Sequence, residues 1–211
     1  MLSDNDIATW LSNIDTQHIV LGYGSLLSKD SRERFSHIHT LGVPVRVDGF
    51  QRAWVTRSLA ESQTYVGAIA NVKSQLTAQL IPTHINPRLR EREKDYQFVQ
   101  VPHHAISFSS DDAGELARGA LEKHTYWLCE TLACEPATPK YPVHQTYIDT
   151  CISGCLEHGG VKEAKAFIDL TSHWHHPRVN DRKAVKYPRA AHISHDVLSE
   201  IDALLIEHQG R

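Results

Sequence analysis

The sequence predicts an α+β fold, a small mixed β-barrel flanked by helices. Two observations carry that expectation. Short runs rich in branched and aromatic residues cluster between His18 and Cys129, and helical periodicity takes over after Gln145. With 211 residues, 41% hydrophobic and 22% charged, the chain has enough apolar material for one sizeable core, so a single domain over residues 1–211 is expected.

Each element has its own signal. Ser3 can cap a helix whose apolar positions Ile7, Trp10, Leu11 and Ile14 recur at three and four residues. That helix leads into a first strand beginning at His18. Val43–Val47, Arg52–Thr56, Tyr65–Val72 and Gln79–Pro82 read as four further short strands, separated by glycine or polar clusters. Asn86–Asp95 reads as a charged helix starting near Pro87, followed by strand Gln97–Pro102. A polar loop is expected at Asp111–Gly114 and a strand at Lys123–Cys129. After the loop Pro139–Pro142, Gln145–Glu157 forms a helix stopped by Gly159 and Gly160, and Val161–Leu170 a second. The last helix is capped by Ser194 and presents Val197, Ile201, Leu204 and Leu205 on one face. Thr171–Arg189 has little periodicity and reads as an ordered loop, so residues from about 171 to 211 form an extension wrapping the core.

Composition excludes several classes of function. A formal charge of −3 leaves no basic footprint for nucleic acid. No apolar run approaches membrane-spanning length, and the N-terminus carries Asp4, Asp6 and Asp15 in place of a basic segment followed by an apolar one. A cytoplasmic protein acting on a small molecule is the expectation, with no membrane or nucleic-acid partner. Four cysteines are too few for a disulfide scaffold, and the spacings Cys129–Cys134 and Cys151–Cys155 are not those of a zinc site, so reduced, mostly buried thiols are expected.

Three strings could carry chemistry. In HIVLGYGSLL, His18–Leu27, an apolar run breaks into a turn whose Gly22 and Gly24 permit positive φ and close approach, so that successive N–H groups can converge on an anion. The alternative is a glycine-rich turn with Tyr23 packed on the core. In LREREKDYQFVQV, Leu89–Val101, the spacing of Glu93 and Tyr96 would place both on one helix face, where a hydroxyl can orient a carboxylate. Taken alone, Glu91 and Glu93 also read as solvated partners of Arg88, Arg90, Arg92 and Lys94. The third string is PVHQTYIDTCISG, Pro142–Gly154.

In this order the three strings resemble the γ-glutamylcyclotransferase superfamily, including its ChaC-type and AIG2-like members, over roughly His18–Leu156. The resemblance implies a backbone cradle at Tyr23, Gly24, Ser25, Leu26 and Leu27. It puts a catalytic glutamate, preceded by a leucine and an arginine and followed by a tyrosine, on Glu93, with Leu89, Arg92 and Tyr96 around it. A further tyrosine, seven residues before a glycine, falls on Tyr147 and Gly154. Arg90 stands where the pattern has aspartate, Lys94 and Asp95 replace a glycine pair, and no tryptophan follows Leu27. These departures point away from a glutathione-specific member. The implied reaction converts a γ-glutamyl amine or peptide to 5-oxoproline and a free amine without metal or cofactor, with Glu93 as base and then acid. Three other readings stand beside it. A non-catalytic ligand-binding module could use the same fold. A metallohydrolase could be built on His173, His175 and His176. A serine hydrolase could use Ser25, although GYGSLL lacks the GxSxG elbow.

Overall fold

The computed structural model describes residues 3–84, 86–110 and 112–210. Helix α1 (Asp4–Ser12) begins in a capping box, the Ser3 hydroxyl accepting from Asp6 N–H while the Asp6 carboxylate takes Ser3 N–H at 3.0 Å. Its buried Ile7 and Leu11 lean on α4 (Glu115–Leu121). Strand β1 (His18–Gly22) then enters the core, with Ile19, Val20 and Leu21 sealed from water.

The four short strands expected between Val43 and Pro82 are two long ones, β2 (Val43–Ser58) and β3 (Gln63–Pro82), paired antiparallel along their length. Their interruptions are a bulge and not chain ends. The register passes from Asp48↔Gln75 to Phe50↔Ala70 with Gly49 at φ 88°, so the punctuation at Gly49 and Asn71–Ser74 bends one ladder without stopping it. Around this hairpin lie β4 (Tyr96–Val101), β5 (Ile106–Phe108), β6 (Thr125–Thr131) and the short β8 (Thr171–Ser172). The strand order is β4-β6-β1-β3-β2-β5, with β8 also on β2. An extra contact, Ala68 on β3 with Glu130 on β6, curls the sheet into a half-barrel.

Two helices went unpredicted. α2 (Lys29–Ser36), KDSRERFS, has almost no apolar periodicity and is set by its Ser28 cap. The N-terminus of α4 is satisfied by Asp4, whose carboxylate accepts from Gly114 N–H at 2.7 Å and Ala117 N–H at 2.9 Å across 110 and 113 residues. No local pattern announces such a cap. Of the polar loop expected at Asp111–Gly114, Asp111 lies outside the described residues, and the rest is irregular as expected.

Helix α3 (Pro87–Arg92), capped by Asn86, is shorter than the expected Asn86–Asp95. The helices predicted on either side of Gly159 and Gly160 are both present: the helical stretch α5 (Gln145–Asp169) is broken at Gly160, whose φ 63° and ψ −157° are not helical. β7 (Val143–His144) pairs with β9 (Arg178–Val179) beside its start. The segment after α5 is tied down by ion pairs and caps. Asp181 accepts from Thr146 N–H at 2.9 Å and Thr146 Oγ1 at 2.6 Å, and Arg182 bridges Asp149 on α5 to Asp202 on α6 (His195–Gln209). Among the described residues, no helix is long and apolar enough to cross a membrane.

Candidate active site

The chain leaves β1 through Tyr23 and Gly24 into a single 3-10 turn, Ser25–Leu27. Of the two reasons the sequence offers for Gly22 and Gly24, positive φ and close approach, the structure uses the second: a Cβ on Gly24 would lie 2.9 Å from the Tyr147 hydroxyl, and one on Gly22 2.5 Å from Ile81 Cδ1, while positive φ among the described glycines belongs to Gly49 and Gly160.

The turn's carbonyls are held from behind. Leu27 N–H donates to Gly24 C=O at 2.9 Å and Ser28 N–H to Ser25 C=O at 3.3 Å. Arg52 Nη1 donates to Tyr23 C=O at 3.2 Å, and Arg32 Nη1 to the carbonyls of Leu26 at 3.2 Å and Leu27 at 3.0 Å. Both guanidiniums are wholly buried, Arg52 with its plane against the Phe167 ring, and their other partners among the described residues are backbone, hydroxyl and amide oxygens and, for Arg32, His158 Nε2 at 3.2 Å. Burial draws each down to about 10, which leaves both charged at neutral pH. Two buried positive charges therefore sit behind a turn whose first amides, Gly24, Ser25 and Leu26, have no partner within the turn. Such a surface suits a carboxylate or an oxyanion.

Glu93 faces this turn from the end of α3. The helix stops at Arg92, so Glu93 is its C-terminal cap and Tyr96 already belongs to β4. The one-face helical argument for Glu93 and Tyr96 is thus overturned, and the cleft joins them by a different route. The Glu93 side chain is 12% exposed, and Arg92 Nε lies 3.6 Å from its Oε1. Burial raises its carboxyl above the ordinary glutamate value and Asp95 adds to that, against the opposing pull of Arg92, Arg189 and a hydrogen bond with the Cys129 thiol. The thiol itself is pushed well up by burial and by Glu93, so it stays protonated. Glu91, by contrast, is exposed and pairs with Lys94 at 3.3 Å.

Tyrosines form much of the wall. Tyr23 donates its hydroxyl proton to Cys129 C=O and accepts from Ala68 N–H at 3.2 Å. Tyr96 donates to Val66 C=O at 2.7 Å, so its hydroxyl does not orient Glu93 as the sequence suggested. Tyr147 packs edge-on against Tyr65 and Tyr187, each at 4.8 Å between ring centres. Together these groups line a narrow cleft that brings Glu93, Tyr23, Gly24, Ser25, Leu26, Tyr96 and Tyr147 to one place. Leu27 alone of the expected site residues is not on the cleft wall; it is buried behind the turn.

Sequence reading missed Tyr65, Asp95, Cys129, Tyr187 and Arg189, which also line the cleft. Arg189 comes from the extension, where the only available signal is the run of charged residues Arg178, Asp181, Arg182, Lys183, Lys186 and Arg189. Ser25 Oγ accepts from Arg92 Nη2 at 2.8 Å, and among the described residues no histidine lines the cleft to serve as the imidazole base of a serine hydrolase. His173, His175 and His176 stack among themselves, His175 and His176 at 4.4 Å, away from the cleft. Among the described residues, no group of three or more His, Cys, Asp or Glu is arranged as metal ligands.

No family model and no curated protein sequence matches the chain. Solved structures do. A γ-glutamyl cyclotransferase aligns with TM-score 0.52 and 12% identity over 88% of this chain and 98% of its own. An uncharacterized protein from Homo sapiens aligns with TM-score 0.54 and 13% identity over 87% and 97%, and YkqA from Bacillus subtilis with TM-score 0.52 and 12% identity over 76% and 56%. The fold is that of the γ-glutamyl cyclotransferases.

Proposed function

We propose that this chain, built on the γ-glutamyl cyclotransferase fold, is a γ-glutamyl cyclotransferase that turns a γ-glutamyl amine or peptide into 5-oxoproline and a free amine. The observation that carries the reading is the pairing of one buried carboxyl of raised pKa, Glu93, with an anion-receiving turn in the same cleft.

The chemistry asks for little else. The substrate's own α-amine attacks its γ-carbonyl, so the nucleophile comes with the substrate. The substrate reacts as its free amine, one ammonium proton having gone to solvent, and Glu93 takes the second proton, which this nitrogen loses as its bond to the γ-carbon forms. The carbonyl oxygen becomes an oxyanion within reach of the turn, where each well-placed donor is worth about 3 kcal/mol. Glu93 then returns the proton to the scissile nitrogen, the old C–N bond breaks, and the lactam C–N bond remains. A carboxyl whose pKa lies above the ordinary range suits both halves of that exchange, being a stronger base when ionised and still an adequate acid when protonated.

Product identity tests the proposal. In water enriched in heavy oxygen, the enzyme is expected to release unlabelled 5-oxoproline, because the lactam oxygen is the original γ-carbonyl oxygen. Labelled glutamate at the earliest time points, above that of an enzyme-free 5-oxoproline control, would show that water is the nucleophile and would defeat the reading.

A further inference from the structure

Arg189 reaches the cleft from the segment after α5, and nothing in the cyclotransferase reading yet uses it. Its guanidinium is held by Glu61 of the β2–β3 turn, Nη1 donating to Oε1 at 2.8 Å and Nη2 to Oε2 at 3.2 Å, and Nη2 also reaches the Tyr65 hydroxyl at 3.4 Å. The rings of Tyr187 and Tyr65 flank it at 5.3 and 5.8 Å. Of five guanidinium N–H groups, this arrangement occupies three and fixes the plane.

Exposure orders the cleft from floor to mouth. Tyr147 and Tyr23 are 3% and 5% exposed, whereas the side chains of Glu93 and Arg189 are 12% and 18% exposed. Glu93 also feels the Arg189 charge directly. A γ-glutamyl group seated with its head on the turn, and its scissile nitrogen at Glu93, would therefore send whatever follows that nitrogen toward Arg189. Glu61 does not line the cleft, and both of its oxygens are engaged by Arg189 and Tyr65, so the face offered to the leaving group is the guanidinium.

We propose that Arg189 is a specificity-determining residue that binds a carboxylate on the leaving group, selecting γ-glutamyl amino acids and peptides over γ-glutamyl amines with a neutral or cationic end. The proposal rests on the cyclotransferase reading. It makes the C-terminal segment part of the substrate site, since Tyr187 and Arg189 both belong to it. A carboxylate would take the Nη1–H that Glu61 leaves open together with the guanidinium charge, whereas an ammonium in the same place would face a like charge.

A matched pair of substrates tests this: γ-glutamylglycine and γ-glutamylglycinamide differ only in the leaving group's carboxylate. The wild type is expected to prefer the carboxylate in kcat/KM by roughly ten- to a hundredfold, the range of a charge-assisted hydrogen bond. Arg189→Gln should lose that factor on γ-glutamylglycine through KM and change little on the amide, and Arg189→Lys should restore part of it. Glu61→Gln, which breaks the ion pair but keeps the guanidinium, should retain the preference. Equal losses on both substrates in Arg189→Gln would mean that Arg189 acts through Glu93 or the fold, and would overturn the proposal, as would a wild type without preference or a Glu61→Gln variant that loses it. A wild type that releases 5-oxoproline from neither substrate would instead remove the cyclotransferase reading, and this proposal with it.

Discussion

Gly154 on α5 lies against the backbone of the cleft turn, and replacing it with alanine separates packing from chemistry. A Cβ there would sit 2.2 Å from the Leu27 carbonyl carbon, 2.3 Å from Ser28 N and 2.5 Å from Leu27 O. Carbon atoms in contact stay roughly 3.5–4.0 Å apart, so helix and turn must separate by about an ångström. The obstacle is backbone, with no flexible side chain to swing aside. The Gly154 carbonyl also accepts from Gln79 Nε2 at 3.1 Å, and Gln79 in turn meets Arg32, so the shift spreads to a guanidinium that holds the turn. Overpacking of this kind costs about 1–3 kcal/mol, and the gain in helix propensity returns about 1 kcal/mol. The net loss of up to about 2 kcal/mol corresponds to a Tm lower by up to about 8 °C for a chain this long. Because an ångström of displacement at a positioned site costs on the order of a hundredfold in rate, kcat should fall far more than stability does. Thermal unfolding and 5-oxoproline release, measured on the same preparation, check both. Gly119→Ala is the control: Gly119 is on α4 with nothing within 4 Å of the added Cβ, and the variant should be more stable by up to about 1 kcal/mol with unchanged activity. A Gly154→Ala protein with wild-type Tm and wild-type kcat would refute the packing argument.

Glu93→Gln keeps shape and removes the proton carrier, so turnover should drop by at least about a hundredfold while 5-oxoproline still binds in calorimetry; Glu91→Gln, on an exposed pair with Lys94, should be nearly neutral. The reverse ranking would move the base to Glu91. The raised pKa of Glu93 also sets two pH dependences. As a base it must be ionised, so the acid limb of kcat/KM should lie above the ordinary glutamate value and vanish in Glu93→Gln. For stability the sign is opposite, because a carboxyl raised in the folded state favours folding when protonated, an effect present below its unfolded pKa and lost as pH rises through its folded one. Glu93→Gln should therefore unfold at a higher temperature than wild type at neutral pH and at a similar one in acid. A variant less stable than wild type at neutral pH would show that pairing with Arg92, and not desolvation, dominates this carboxyl.

The strands and the long helix were legible because their signals are local. Branched residues at β1, the caps at Ser3, Asn86 and Ser194, and the breaker at Gly160 all act within a few residues of where they are read. What failed to show depends on partners far along the chain. The N-terminus of α4 is capped by Asp4, and the division of the β2–β3 hairpin looked real because a bulge and a strand end use the same residue types. The site divides in the same way. Motif order put Glu93, Tyr147 and the turn in one cleft, but the arginines that hold the turn, Arg32 and Arg52, read as ordinary charged residues. Only the fold shows them buried, and Arg189 joins the cleft because Tyr187 and Asp181 pin its segment to α5.

The cations around Glu93 pose the sharpest question for a base at this position, since four of them stand within five residues of it in the sequence. Orientation disposes of most. Arg88, Arg90 and Lys94 are exposed, and only Arg92 turns inward. Its charge is shared among hydroxyls: Nη1 donates to Ser36 Oγ at 2.8 Å, and Nη2 to Ser25 Oγ at 2.8 Å and Ser31 Oγ at 3.1 Å, which leaves Nε at 3.6 Å from Glu93, beyond hydrogen-bond range. Arg189, the other cation near the carboxyl, is bound by Glu61. Desolvation outweighs both arginines, and the Glu93 carboxyl stays above its ordinary value. The same two ion-binding arrangements also serve the turn and the mouth, Arg92 by fixing Ser25 and Arg189 by facing the leaving group. The guanidinium that most opposes the raised carboxyl of Glu93, that of Arg92, is therefore also the one that fixes the turn through Ser25.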